Sequence, residues 1–235
     1  MVGDTAQSGG VDGGRLGKTR LLHRLFDDGL LLIACKPSHG SYDMAMLSRH
    51  RKDSLRAAVL AERSALSPAV WDAEDRARTE HVLARLTGRS GTVALYASLP
   101  GEPGTTALID ALADAGWRVL LPVLRRRVDW AEFASWGQMV PGWRDIPEPN
   151  GPRLGPEALA RANLVFVSAL SVGLDGSRLG TGGGWYDRAL PSRTPGTPVV
   201  ALARGAEVVA SVPMEEHDVA VQGVVTETEW VELER

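Results

Sequence analysis

Three runs, "TVALYAS" (92–98), "NLVFVSAL" (163–170) and "PVVALA" (198–203), are apolar at nearly every position instead of every second one. A strand with one face in water alternates. A strand apolar on both sides has to be covered on both, the condition of a parallel sheet packed between helices. The intervening segments supply those helices. "MLSRHRKDSLRAAVLAERSAL" (46–66) sets Leu47, Leu55, Val59, Leu60 and Leu66 at near-helical spacing with basic residues on the other face. Ser67-Pro68 is a cap followed by a first-turn proline and starts a second helix that runs to about Leu86. "TALIDALADAG" (106–116) is a third, which Gly116 can end. "WRVLLPVL", "VDWAEF" and "GVVTET" read as further strands. The pattern predicts an α/β protein, a three-layer α/β/α sandwich around a mostly parallel sheet.

This organisation covers residues 46–235, read as one domain. Residues 1–45 differ. "MVGDTAQSGGVDGGRLGKTR" is rich in glycine and lacks apolar periodicity, so the segment is read as a flexible N-terminal extension, or as residues upstream of a true start at Met44 or Met46. "GGRLGKT" is similar to a phosphate-binding loop, but Asp12 stands where that pattern needs its first glycine, and no apolar strand precedes it. "LLLIAC", ending at Cys35, is similar to a lipoprotein cleavage site, yet Asp27 and Asp28 break its apolar core. A single cysteine excludes a disulfide framework within the chain, and no apolar run approaches the roughly 20 residues of a membrane span. The formal charge of −3 gives no pull towards nucleic acid or anionic membranes. The expectation is a cytoplasmic monomer or weak homo-oligomer with no nucleic-acid or membrane partner.

Two segments do not serve the sandwich. "VPGWRDIPEPNGPRLGP" (140–156) holds five prolines and three glycines in 17 residues and reads as a loop long enough to be functional. "RLGTGGGWYDR" (178–188) packs four glycines between Arg178 and Asp187, with a helix expected from about Trp185. Glycines in that number cost backbone entropy and suit a backbone that must approach an anion closely. Arg178 offers a fork of donors, and an acid beside a nucleotide phosphate makes sense chiefly as a ligand for Mg²⁺. The alternative is a glycine-rich turn with a surface Arg178–Asp187 pair.

"GSRLGTGGGWYDR" resembles the signature of the 5-formyltetrahydrofolate cyclo-ligase family, with departures at Ser177 and Trp185. "KDSLR" (52–56) resembles the family's opening K-x-x-L-R, "SLPGEPGT" (98–105) its E-x-x-T loop, "WRDIPEP" (143–149) its W-x-I-x-E-P loop, and "VPMEEHDVAVQGVVTE" (212–227) its closing motif. The resemblance spans roughly residues 50–230. It implies that Lys52, Arg56, Arg178 and the run Leu179, Gly180, Thr181, Gly182, Gly183, Gly184, Trp185 and Tyr186 bind ATP, with Lys52 and Arg178 catalytic. It implies folate contacts at Leu99, Glu102, Trp143 and Tyr186, and Mg²⁺ ligands at Asp187 and Asp218. The activity implied is ATP- and Mg²⁺-dependent conversion of 5-formyltetrahydrofolate, with or without a polyglutamate tail, to 5,10-methenyltetrahydrofolate.

The residues themselves leave bland readings beside these: a solvated basic face for Lys52 and Arg56, and a Pro-Gly turn with one exposed acid for Glu102. Against the first, only Lys18, Lys36 and Lys52 among 26 basic residues are lysines. A compact ammonium in so arginine-biased a chain suggests a site that a guanidinium does not fit. Gln222 replaces an acid of the closing motif, and Gly183 stands where some members carry lysine. His217 needs no role. A non-catalytic folate-binding relative, or another nucleotide or phosphosugar enzyme on a similar scaffold, remains as an alternative.

Overall fold

The computed structural model describes residues 40–124 and 128–233. The expectations for the glycine-rich segment, "GGRLGKT" and "LLLIAC" lie outside the described residues. Two helices come first, α1 (Gly40–Ser64) and α2 (Pro68–Leu86), so α1 runs through the boundary expected at residue 45. Ser67 caps α2 as the sequence predicts, its Oγ accepting from the Val70 amide at 3.4 Å. Gly116, at φ 81°, follows α3 (Thr106–Asp114).

The central sheet has seven strands. Those in its middle are β1 (Thr92–Ala94), β2 (Arg118–Leu124), β6 (Leu164–Ser168), β9 (Val199–Leu202) and β11 (Gly223–Val225). They lie in the order β11-β9-β6-β1-β2, all parallel. Antiparallel edges close it: β3 (Val128–Glu132) beside β2 and β12 (Trp230–Glu232) beside β11. Successive residues of one strand enter opposite cores. Val93, Val119, Phe166 and Val200 pack with α2 and α3 through Val82, Leu108, Ile109 and Leu112. Ala94, Leu120, Val165, Val167 and Ala201 pack with Ala158, Leu159, Ala189 and Leu190 on the other face. Both faces are therefore covered, which is why these strands read as unbroken apolar runs.

Two expectations need correction. The spacing places Leu47 and Leu60 with Leu55 and Val59 on the face of α1 opposite the basic residues, but they are 57% and 49% exposed. The helix turns Leu55 and Val59 towards Leu170, Leu179 and Val212, flanked by the buried cations Lys52 and Arg63. Spacing alone cannot show that long cationic side chains occupy the inward face. Residues 140–156 are not wholly loop, since β4 (Met139–Pro141) pairs with β5 (Pro147–Pro149) as a hairpin. Backbone bonds from Asn150 to Gln138 (2.9 Å) and Gly142 to Ile146 (2.8 Å) set the alternation. Pro141, Pro147 and Pro149 then fall at non-bonded pairs, where a missing N–H costs nothing. The helix expected from about Trp185 is present as α4 (Trp185–Ala189), five residues long. Its dipole is small, and any anion held there depends on the loop amides instead. A small second sheet, β10 (Val208–Val209), β7 (Ser171–Gly173) and β8 (Arg178–Leu179), fixes the start of the glycine loop.

Candidate functional site

The carboxyl ends of β1, β2 and β6 open into a cavity of about 940 Å³, the usual place for ligands in a parallel sheet. Tyr96, Leu99 and Glu102 from the segment after β1 form one wall. The hairpin contributes Gly142, Trp143 and Ile146, and the glycine loop contributes Thr181, Gly183, Trp185 and Tyr186. Leu99 with Glu102, Trp143 and Tyr186, from three segments widely separated in sequence, thus share one lining. Trp143 is 54% exposed on the 3-10 turn (Trp143–Asp145) at the hairpin tip, where Asp145 takes φ 61°.

Glu102 folds back on its own turn: Glu102 Oε2 accepts from the Leu99 amide at 3.0 Å, and the Glu102 amide donates to the Leu99 carbonyl at 3.0 Å. Burial pushes the Glu102 carboxyl above the usual range, against the Leu99 bond and the nearby Arg63 charge. The exposed-acid reading of Glu102 therefore does not hold. The Tyr186 hydroxyl accepts from the Ser168 amide at 3.4 Å, and burial pushes it up to about 12, so it stays a neutral donor.

Of the cations of α1, Arg56 touches the glycine loop and Lys52 the turn at residues 215–218. Arg56 Nε donates to the Gly180 carbonyl at 2.9 Å and its Nη1 to Asp53 at 2.6 Å. Lys52, 7% exposed, places Nζ 2.8 Å from Asp218 Oδ2 and 3.1 Å from Glu215 Oε1. Burial works against its ammonium, but the two carboxylates outweigh it and raise its pKa. Asp218 shows the mirror effect: burial opposes its charge, yet Lys52 and the Glu215 amide hold its pKa low. A solvated basic face is thus overturned for Lys52.

Arg178 and Asp187 do form an ion pair, but not at the surface, because their side chains are 5% and 13% exposed. Arg178 Nε also donates to the Val219 carbonyl at 3.0 Å, while Asp187 Oδ1 accepts from the Val219 amide at 3.1 Å. The peptide of Val219 is gripped by both, with Asp218 immediately before it. Gly182 and Gly184 have φ 99° and 59°, so their glycines answer to backbone geometry. At Gly183 a Cβ would meet nothing within 4 Å, which leaves room for a close approach.

As to metal, no group of three or more His, Cys, Asp or Glu side chains is placed to hold an ion among the described residues. Asp187 and Asp218 each already face a cation, Arg178 and Lys52, so an ion held there would share carboxylates that these pairs now neutralise.

Sequence reasoning missed Glu215, whose place three residues before Asp218 in one turn is its only signal. It also missed the buried Arg63–Glu207 pair, which no spacing announces across 144 positions. Gln222 lies at the opposite, amino end of the sheet. Its Oε1 accepts from Val199 (2.9 Å) and its Nε2 donates to Ala220 (3.1 Å), two roles that a carboxylate cannot both play. His217 is 69% exposed.

Residues 48–227 match the sequence profile of the 5-formyltetrahydrofolate cyclo-ligase family. A 5-formyltetrahydrofolate cyclo-ligase of Mycolicibacterium smegmatis is 36% identical over 187 residues, covering 77% of this chain and 95% of the relative. One of Escherichia coli K12 is 33% identical over 147 residues, covering 59% and 81%. Among solved structures, the 5,10-methenyltetrahydrofolate synthetase of Aquifex aeolicus superposes with a TM-score of 0.65 at 29% identity, covering 78% of this chain and 93% of that one.

Proposed function

The chain belongs to the 5-formyltetrahydrofolate cyclo-ligase family, and on that premise we propose that it converts 5-formyltetrahydrofolate to 5,10-methenyltetrahydrofolate at the expense of ATP. The observation that carries this reading is the shared cavity. An acid, an exposed tryptophan and a neutral tyrosine line it together with the glycine loop that Arg56 of α1 abuts. Glu102 accepts hydrogen bonds from the pterin, and Trp143 covers its ring. Lys52, Arg56, Arg178 and the loop amides hold the phosphates.

The amide oxygen of the formyl group leaves poorly. Transfer of the γ-phosphoryl group to it releases ADP and makes it a good leaving group. N10 then attacks the formyl carbon, its proton is lost, and phosphate departs as the ring closes. The chain's part is positioning and charge neutralisation, so no side-chain nucleophile is required. Asp187 and Asp218 would hold Mg²⁺, which supplies neutralisation of phosphate charge.

The same reading takes the protein as cytoplasmic and as a monomer or weak homo-oligomer, with the polyglutamate tail optional. The Gln222 departure does not favour a non-catalytic relative, because that side chain serves the amino edge of the sheet. The test mixes the protein with 5-formyltetrahydrofolate, ATP and Mg²⁺ and follows the near-ultraviolet absorbance of the methenyl product. Product that needs both ATP and Mg²⁺ is expected. Folate binding without turnover overturns the enzymatic reading.

A further inference from the structure

The mechanism leaves unused one buried ion pair at the centre of the catalytic edge. Arg63, in the last turn of α1, is 4% exposed, and Glu207, in the 3-10 turn after β9, is 2% exposed. The pair is bidentate, with Nε to Oε1 at 2.6 Å and Nη2 to Oε2 at 2.7 Å. Nη2 also donates to the Ala169 carbonyl at 2.7 Å, and Nη1 to the Gly101 carbonyl at 3.2 Å. Gly101, Ala169 and Glu207 follow β1, β6 and β9, which are neighbours in the sheet. One guanidinium therefore grips the chain beyond three adjacent parallel strands.

Two of these grips reach the walls of the folate cavity. Gly101 directly precedes Glu102 in the turn closed by the reciprocal Leu99–Glu102 bonds, so moving its carbonyl moves the Glu102 carboxylate. Ala169 directly follows Ser168, whose amide meets the Tyr186 hydroxyl. Stability alone does not explain the pair, since apolar residues of like volume often serve a core as well or better. A planar fork of donors supplies direction, which apolar packing does not.

We propose that Arg63, locked by Glu207, is a positioning residue that holds the Glu102 turn in register with the folate cavity. The inference rests on the cyclo-ligase reading of that cavity. Two full-length variants test it: Arg63→Lys, and the apolar pair Arg63→Met with Glu207→Leu. The measurements are KM for each substrate, kcat, melting temperature, and amide hydrogen exchange over residues 99–105 without substrate.

A lost charge-assisted hydrogen bond predicts a rise in KM for 5-formyltetrahydrofolate of about tenfold or more, with comparably faster exchange at the Leu99 and Glu102 amides. KM for ATP stays within about twofold, because Lys52 and Arg56 keep their own partners. Unchanged folate KM and unchanged exchange in a folded variant overturn the proposal, as does a fall in melting temperature alone. Should the apolar pair fail to fold, Arg63→Lys decides: it keeps the charge but lacks the fork that reaches both Glu207 and Gly101. Wild-type protein without turnover would sink the cyclo-ligase reading, and exchange over residues 99–105 still decides the positioning role.

Discussion

Asp187→Asn separates the structural role of its ion pair from the catalytic one. Asparagine keeps the size and one carbonyl oxygen, so the Val219 amide retains an acceptor. What goes is the negative charge facing Arg178, whose side chain is 5% exposed. Breaking a buried pair from one side costs about 3–5 kcal/mol where nothing else satisfies the remaining charge. Here Arg178 keeps the Val219 carbonyl and a neutral amide oxygen, so the loss is the difference between charged and neutral hydrogen bonds, about 1–2 kcal/mol, plus part of that penalty. A total near 2–3 kcal/mol predicts a melting temperature lower by roughly 4–12 °C for a domain of this size. Because this loss follows from the pair whatever its function, stability does not discriminate. Turnover does. If Asp187 holds the ion that neutralises phosphate charge, kcat falls by about a hundredfold or more, on the scale of one preorganised charge interaction. The assay is methenyl formation at a temperature where both proteins are folded, with 5-formyltetrahydrofolate affinity as the control, expected to change little. Turnover within about threefold of wild type, beside the predicted loss of stability, refutes the catalytic assignment and leaves Asp187 as the partner of Arg178.

Lys52→Arg raises KM for ATP and Lys52→Ala raises it further, since the Nζ site between Asp218 and Glu215 is shaped for a point charge; unchanged ATP kinetics in both variants returns Lys52 to a structural role. Gly183→Ala leaves the melting temperature unchanged but raises KM for ATP, because its Cβ enters the space open to a ligand. Gly184→Ala costs about 1 kcal/mol of stability through its left-handed φ, and equal melting temperatures for these two variants would contradict the assignment. The pH dependence has a definite sign. The folded pKa of Asp218 is lowered from 3.8, so its contribution is present above 3.8 and is lost as pH falls through the lowered value. Lys52, raised from 10.5, contributes fully below 10.5 and loses that contribution as pH rises through its raised value. The gap in melting temperature between wild type and Lys52→Met is therefore open at neutral pH and narrows in strong acid. A gap independent of pH would remove the Lys52–Asp218 coupling.

The sequence by itself determined the sheet and its coverings, because burial on both faces leaves a local mark: unbroken apolar runs, a serine–proline helix start, a glycine helix stop. The candidate site residues were legible as motifs that resemble the family's, since the glycine loop, Lys52, Glu102 and Trp143 each lie in a short stretch of sequence. Only the tertiary structure decided what those residues touch. That Leu47 and Leu60 face water while Lys52 and Arg63 face inward depends on the acids 215, 218 and 207 coming to meet them from far along the chain. That the proline-rich loop forms a hairpin depends on a register which seats each proline where no N–H is needed. And whether Arg178 and Asp187 make a surface pair or a buried clamp on Val219 depends on where residues 215–219 pack. Charges pair through space, and local sequence carries no record of a partner more than a hundred positions away.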